Sequence, residues 1–283
     1  MNFSSVPSLP LTSLVLLSIG STQLGTAIAK NLFETLSPTG VVLLRVGFAA
    51  IVLLLRWRPQ LKGNIRSNYR PLILFGLSLA LMNLSFYMAI ERIPLRIAVT
   101  IEFIGPLGLA IANSRRVLDL LWSLLAAIGI ILLAPVGGSV FDPIGVALAL
   151  LAGCFWAAYI LLSARVGQAL PGGAGLALAM AVAAVILLPA GVLAGGSALL
   201  NPNLLLLGFG VAMLSSAIPY SLELEALRFL PTRVFGVLMS LEPVAATFVG
   251  FLILKETLEL RALIAILLVT IAAVGASRLA TRD

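Results

Sequence analysis

The sequence predicts an all-α integral membrane protein with ten transmembrane helices, arranged as two inverted five-helix repeats. The composition is strongly apolar, because 61% of the 283 residues are hydrophobic, only 10% are charged and the mean hydropathy is +1.15. Apolar runs of about 20 residues recur along the chain, and this length crosses a hydrocarbon core about 30 Å thick. Matching motifs also occur in both halves. These three observations place the chain among multi-span helical membrane proteins.

The ten predicted spans follow one another closely, and Pro or Gly residues separate most of them. The connections are short, so neighbouring spans are expected to run antiparallel. The first apolar run has no basic segment before it, and we interpret it as a mature helix rather than a signal peptide. The spans cover residues 11–29, 39–56, 71–90, 95–112, 118–134, 143–162, 172–194, 204–227, 233–252 and 261–278.

The distribution of Lys and Arg predicts that both termini are cytoplasmic. With the N-terminus inside, most of the 18 basic residues fall in the inner loops and the C-terminal tail, as membrane proteins prefer. Trp57, between Arg56 and Arg58, is placed as an interfacial anchor. The net charge of +7 therefore indicates a lipid bilayer partner and no nucleic acid.

An internal repeat links the two halves of the chain. The stretch RIPLRIAVTIEFIGP (92–106) aligns with FLPTRVFGVLMSLEP (229–243) at an offset of 137 residues. Three pairs match: Pro94 with Pro231, Arg96 with Arg233, and Pro106 with Pro243. The sequence therefore predicts one repeat over residues 1–140 and a second over 141–283. Because five spans is an odd number, the second repeat enters the membrane in the opposite sense.

Two long segments carry a resemblance to a known family. AIERIPLRIAVTIEFIGPLGLAIANSRR (89–116) and AIPYSLELEALRFLPTRVFGVLMSLEPVAA (217–246) resemble the bacterial threonine/homoserine exporters, in the EamA-type branch of the drug/metabolite transporter superfamily. The resemblance extends over nearly the whole chain. It implies an inner-membrane protein with ten helices around a central cavity, which exports small amino acids and is coupled to protons.

Three charged residues lie deep within predicted spans: Arg45, Glu102 and Glu242. A charged side chain at a helix centre costs about 2.5–3.5 kcal/mol on insertion scales, so such residues mark candidate pathways. Desolvation favours the protonated form of Glu102, and a cationic neighbour favours its ionised form. This carboxyl group can therefore bind a proton and a substrate ammonium in alternation. The alternative for both carboxylates is a structural pair with an Arg. Arg45 either binds the substrate carboxylate or permanently neutralises a Glu.

Pro106 predicts an interruption of the helix beside Glu102. Proline has no N–H, so the carbonyl four residues earlier, that of Glu102 itself, loses its partner. Interrupted helices often line transporter binding sites, although a simple packing kink is the alternative. Glu242 precedes Pro243 but aligns with Gly105, so the two carboxylates are not equivalent in the repeat.

Further polar side chains complete the predicted binding site for substrate and proton. Ser216, Tyr220 and Glu223 are spaced i, i+4, i+7 and share one face of a regular helix. Pro219 is expected to free the carbonyl of Ser215. Five other candidates come from spans one, three and six: Gln23, Asn83, Tyr87, Trp156 and Tyr159. For the two aromatic residues of span six, ordinary packing is the alternative.

The missing residue types exclude most catalytic chemistry. The chain has no His, one Cys and three Asp, which removes most metal sites and Ser-His-Asp hydrolases. We therefore expect a non-enzymatic secondary active exporter of small amino acids such as threonine or homoserine. Its expected partners are the substrate, protons and lipid, with no cofactor or metal. A broader drug or metabolite exporter and a channel are the alternatives, and the sequence leaves the oligomeric state open.

Overall fold

The described part of the chain is entirely helical in its regular structure. The computed structural model describes residues 10–29, 32, 35–59, 68–93, 95–114, 116–133, 142–245 and 260–280, and these ranges contain no strand. The first half contains α1 Leu11–Ala29, α2 Pro38–Trp57, α3 Tyr69–Ile90, α4 Leu95–Glu102, α5 Ile104–Ala112 and α6 Val117–Leu133. The second half contains α7 Pro143–Ala169, α8 Ala174–Gly195, α9 Pro202–Ala212, α10 Ile218–Phe229, α11 Thr232–Met239 and α12 Leu260–Ala280.

Within the described ranges, five helical segments are long and apolar enough to cross a bilayer: Pro38–Trp57, Tyr69–Ile90, Pro143–Ala169, Ala174–Leu200 and Pro202–Phe229. Shorter apolar segments cover Ile97–Ala112, Val117–Leu132 and Leu260–Ala276. The predicted bounds of the spans agree closely with these helices, except that α7 continues seven residues past the predicted end at residue 162. Residues 246–252 of the predicted ninth span and the boundary between the predicted repeats lie outside the described residues.

Three helices begin with the same local arrangement, a polar N-cap followed by proline. Ser37, Asp142 and Asn201 each accept a hydrogen bond from a backbone N–H in the first turn. Proline at the first helical position has no N–H that the helix would need to satisfy, and its φ angle suits the helix. At these three positions, the prolines that separate the predicted spans are therefore the first residues of helices.

The Asp142 cap also joins an ion pair at the surface. Its second carboxylate oxygen accepts a hydrogen bond from Arg92 Nη1 at 3.0 Å, next to the end of α3. The hydrogen bonds from Arg92 and from the Ile144 N–H lower the pKa of Asp142 below its ordinary value. The ion pair therefore stabilises the fold fully at pH values above the ordinary pKa of Asp. This stabilisation is lost as the pH falls through the lowered pKa of Asp142.

Two helices are interrupted at corresponding places. The first interruption falls at Phe103 between α4 and α5, where Pro106 predicts it. The second falls at Ser240, where α11 ends before residues 241–245 continue as helix. These two positions differ by 137 residues, the offset of the sequence repeat. A third irregularity, a π-helical turn at Met213–Ala217, joins α9 to α10 just before Pro219.

Helices from the two halves pack against one another in a regular pattern. Two contacts join corresponding helices: α2 with α8, and α6 with α12. A third contact, α5 with α11, joins the two interrupted segments. Two further contacts, α1 with α10 and α3 with α7, are equivalent, because replacing each helix by its counterpart in the other half turns one contact into the other. The α5–α11 crossing is close, because a Cβ on Gly236 would lie 2.7 Å from the Pro106 carbonyl oxygen. Most polar residues of the predicted site lie on these helices, whereas Glu102 ends α4, Glu242 follows the break at Ser240 and Ser216 lies in the π turn.

Glycine allows α5 and α7 to approach at backbone distance beside the first interruption. A Cβ on Gly105 would overlap the backbone carbonyl of Gly153, and one on Gly153 would lie 2.6 Å from the Glu102 carbonyl oxygen. A side chain on either residue would force these helices apart.

We predict that Gly105→Ala lowers the melting temperature of the purified protein, because overpacking of this kind costs about 1–3 kcal/mol. Gly108→Ala on the same helix is the matched control, since a Cβ there meets no atom within 4 Å. Melting is measured in detergent by tryptophan fluorescence. Equal melting temperatures for the two variants would contradict the close approach of α5 to α7.

Candidate functional site

A buried carboxylate at Glu223 joins three helices. On one oxygen it accepts a hydrogen bond from Ser18 Oγ of α1 at 2.5 Å, and on the other from the Tyr159 hydroxyl of α7 at 2.7 Å. Ser18 and Tyr159 are fully buried, and Glu223 is only 4% exposed. Glu223 lies on α10 about six residues from its C-terminal end, roughly 9 Å along the helix. The two hydroxyl groups therefore fix the orientation of this carboxylate within the helical core.

A row of aromatic and amide groups extends from this carboxylate. The Tyr159 ring lies 5.4 Å from the Tyr220 ring and 5.6 Å from the Phe75 ring, between centroids. The Tyr220 hydroxyl accepts a hydrogen bond from Asn83 Nδ2 at 3.4 Å, and the same amide nitrogen donates to the Leu79 carbonyl. The sequence repeat pairs Asn83 with Tyr220, and these two residues are in direct contact.

Arg45 lies at the other end of this row. It is 8% exposed, donates from Nη1 to the Tyr87 hydroxyl at 3.4 Å, and has its Cζ 5.4 Å from the Tyr87 ring centroid. Tyr220 also lies close enough to interact with the guanidinium. Among the described residues, its Nε has no hydrogen-bond partner and no carboxylate oxygen lies within 4 Å of its nitrogens. Arg45 therefore keeps unused hydrogen-bonding capacity in a buried position.

The two carboxyl groups beside the helix interruptions lie near Arg45. Glu102 is close enough to Glu242 and Arg45 for the three charges to interact, and Glu242 also interacts with Glu223. Neither Glu102 nor Glu242 makes a hydrogen bond or an ion pair through its side chain with any residue in the described ranges. The site thus combines one guanidinium with three carboxyl groups. Of these three, only Glu223 is held by hydroxyl donors.

The interruption at Phe103 is closely packed by α7. The Phe103 ring meets the Trp156 ring edge to face, with centroids 4.8 Å apart. The Glu102 carbonyl, which lacks a partner because Pro106 has no N–H, faces Gly153. Trp156 is therefore a packing neighbour of the interruption, and it is only 8% exposed.

Two predicted residues remain outside these contacts. Gln23 on α1 is half-buried and makes no hydrogen bond to a described residue. Ser216 is fully buried, but it lies inside the π turn, and its hydroxyl has no partner in the described part of the chain. The π turn changes the regular i, i+4, i+7 spacing on which its predicted place beside Tyr220 and Glu223 depended. Ser21 of α1 contacts this turn instead, donating to the Leu214 carbonyl at 2.7 Å.

Comparison with known proteins identifies the family. A model of the EamA-like transporter family matches residues 143–278. The threonine/homoserine exporter RhtA of Salmonella typhimurium is 41% identical over 271 residues, which cover 95% of this chain and 92% of the exporter. The chain belongs to the EamA-like transporter family.

Two further similarities extend the comparison of this EamA-like protein. The threonine/homoserine exporter RhtA of Escherichia coli is 41% identical over 266 residues, covering 93% of this chain and 90% of the exporter. A crystal structure of a protein with 18% sequence identity matches with a TM-score of 0.79, over 96% of both chains. That structural similarity shows the shared fold alone. Both RhtA relatives are named threonine/homoserine exporters.

Sequence reasoning missed Ser18 and the exact partners of Glu223 in this EamA-like chain. A serine in an apolar helix carries little signal, because its hydroxyl usually bonds to a carbonyl of its own helix. Glu225, two residues along α10, forms an ion pair with Arg228 at 2.9 Å near the end of this helix. Within the described ranges, no three His, Cys, Asp or Glu residues form a group that fits a metal ion.

We predict that the charges of Arg45 and Glu102 are energetically linked. Arg45→Met should lower the melting temperature in detergent, because it removes the cation that compensates buried carboxylates. Adding Glu102→Gln should restore part of the loss, with a coupling energy of about 0.5–3 kcal/mol. Glu225→Gln in the same background is the matched control and should restore nothing. Additive effects of Arg45→Met and Glu102→Gln would contradict the linkage.

Proposed function

We propose that this protein is a secondary active exporter of small neutral amino acids of the threonine and homoserine kind, driven by protons. The observation that carries the proposal is the buried guanidinium of Arg45 beside carboxyl groups that make no hydrogen bonds to described residues. An amino acid zwitterion offers one group to each, a carboxylate to the guanidinium and an ammonium to a carboxylate. The names of the RhtA relatives support the same substrate class.

The sequence left two roles open for Arg45, and its surroundings favour substrate binding. A permanent neutralising role requires a carboxylate in close contact, whereas the described residues offer Arg45 no carboxylate oxygen within 4 Å. Its Nε has no hydrogen-bond partner among the described residues, so the planar fork can still bind a substrate carboxylate through two parallel hydrogen bonds. The Tyr87 hydroxyl and ring hold the guanidinium in the core from one side.

Glu102 and Glu242 supply the carboxyl groups at which a proton and the substrate ammonium exchange. Two carboxyl groups near one cation cannot both remain ionised at low cost in a buried site, so a proton or an ammonium ion is needed there. Binding of the substrate ammonium would displace the proton, and later proton entry would release the substrate. This competition couples outward movement of the amino acid to inward movement of protons.

We infer that the fold consists of ten transmembrane helices in two inverted repeats, residues 1–140 and 141–283, around a central cavity. The paired contacts between corresponding helices, the interruptions at Phe103 and Ser240, and the Asn83–Tyr220 contact support this architecture. Such a protein resides in the bacterial inner membrane, and the distribution of basic residues favours cytoplasmic termini.

Glu102→Gln should abolish threonine transport driven by a pH gradient in proteoliposomes, because the amide cannot carry the exchanged proton. Transport is measured as uptake or loss of labelled threonine after a pH jump. The matched control is Glu225→Gln, which removes a carboxylate of the Arg228 ion pair and should transport like the native protein. Native rates in the Glu102→Gln variant would refute the proposed role of Glu102.

Cysteine labelling tests the proposed orientation. In a Cys154→Ser background, Asn201→Cys should react with a membrane-impermeant maleimide in intact cells, because the α8–α9 connection is expected outside. Asn113→Cys, at the end of α5, should react only after permeabilisation, and both positions are exposed. The opposite pattern of labelling would show that the orientation is reversed. If both cysteine variants reacted in intact cells, the proposed number of spans between these two positions would be contradicted.

A further inference from the structure

We propose that Glu223 recognises the side-chain hydroxyl of the substrate, and that Ser18 and Tyr159 satisfy this carboxylate when the site is empty. The inference rests on the proposed function, and it assigns a specificity role to the third carboxyl group. Threonine and homoserine share an ammonium, a carboxylate and an aliphatic hydroxyl. The first two groups already have partners in the proposed site, whereas the hydroxyl does not.

The hydrogen bonds of Glu223 show which chemistry this position accepts. Both of its oxygens bond to hydroxyl groups, one aliphatic and one phenolic, from two different helices. Of the two donors, the aliphatic Ser18 hydroxyl is chemically closer to the hydroxyl of threonine or homoserine than the phenolic Tyr159 hydroxyl is. A substrate hydroxyl can therefore replace Ser18 on Glu223 with a hydrogen bond of the same kind.

The arrangement of charges assigns the three substrate groups in order. Arg45 interacts with Glu102 and Glu242, and Glu242 interacts in turn with Glu223. With the substrate carboxylate at Arg45, the ammonium meets Glu102 and Glu242, whose oxygens have no hydrogen-bond donors among the described residues. The side chain of the substrate then extends toward Glu223, where neutral hydroxyl donors are already bound.

This assignment predicts discrimination between isosteric amino acids. Valine has the shape of threonine with a methyl group in place of the hydroxyl, and it would leave an oxygen of Glu223 facing an apolar group. A hydrogen bond to a charged partner corresponds to a preference of about ten- to a hundredfold. Sites that bind a substrate hydroxyl reject analogues without it for this reason.

The test measures dissociation constants of the full-length protein in detergent, for threonine and valine, by competition binding and by thermal stabilisation. The native protein should prefer threonine by about ten- to a hundredfold. Glu223→Leu should bring the ratio close to one, because it weakens threonine binding and removes the unpaired carboxylate oxygen that disfavours valine. Glu225→Leu, the matched control two residues away, should keep the native ratio.

A second variant tests the displacement directly. Ser18→Ala removes the internal competitor that either ligand must displace from Glu223, so it should tighten threonine and valine binding by a similar factor and keep their ratio. This small substitution tests the displacement even if Glu223→Leu does not fold. A native ratio in Glu223→Leu, or unchanged affinities of both ligands in Ser18→Ala, would overturn the inference. A native protein that neither binds nor transports threonine would instead overturn the proposed function itself.

Discussion

The balance of buried charge is the constraint on which the site depends. One guanidinium, Arg45, lies in the helical core with the buried Glu102 and Glu223 and the half-buried Glu242, and no ion pair within 4 Å joins them in the described residues. A low-dielectric core cannot hold the resulting excess of negative charge at low cost. In the proposed function, protons or the substrate ammonium supply the compensating positive charge. The proposed exchange of substrate for protons depends on this need for a cation.

The backbone interruptions bring these groups together. The break at Phe103 directs the Glu102 carbonyl toward α7, where Gly153 leaves room for it, and Gly105 allows the same close approach. The π turn before Pro219 redirects α10 and is held to α1 by Ser21. The pairing of α1 with α10 and of α3 with α7 then brings Ser18 and Tyr159 to Glu223. Close packing at glycine and irregular backbone at proline therefore determine where the charges meet.

Much of this was accessible from the sequence, because hydropathy and proline positions act locally. The bounds of α1, the interruption beside Glu102 and the alignment of Asn83 with Tyr220 in the repeat all follow from spacing along the chain. The hydrogen bond between Asn83 and Tyr220 does not. The role of Ser18 could not be predicted, since one serine among apolar residues gives no sign of a partner 205 residues away. The place of Ser216 was also beyond reach, because a π turn changes the helical period and nothing in the local pattern fixes its extent.

Proton release on substrate binding is the sharpest test of the proposed exchange between threonine and protons. Threonine is added to the purified protein in weakly buffered detergent solution, and a pH indicator reports protons while thermal stabilisation reports binding. Bound threonine should release protons from the carboxyl groups around Arg45, and the Glu102→Gln variant should release fewer. Threonine binding to the native protein without any proton release would contradict the proposed exchange.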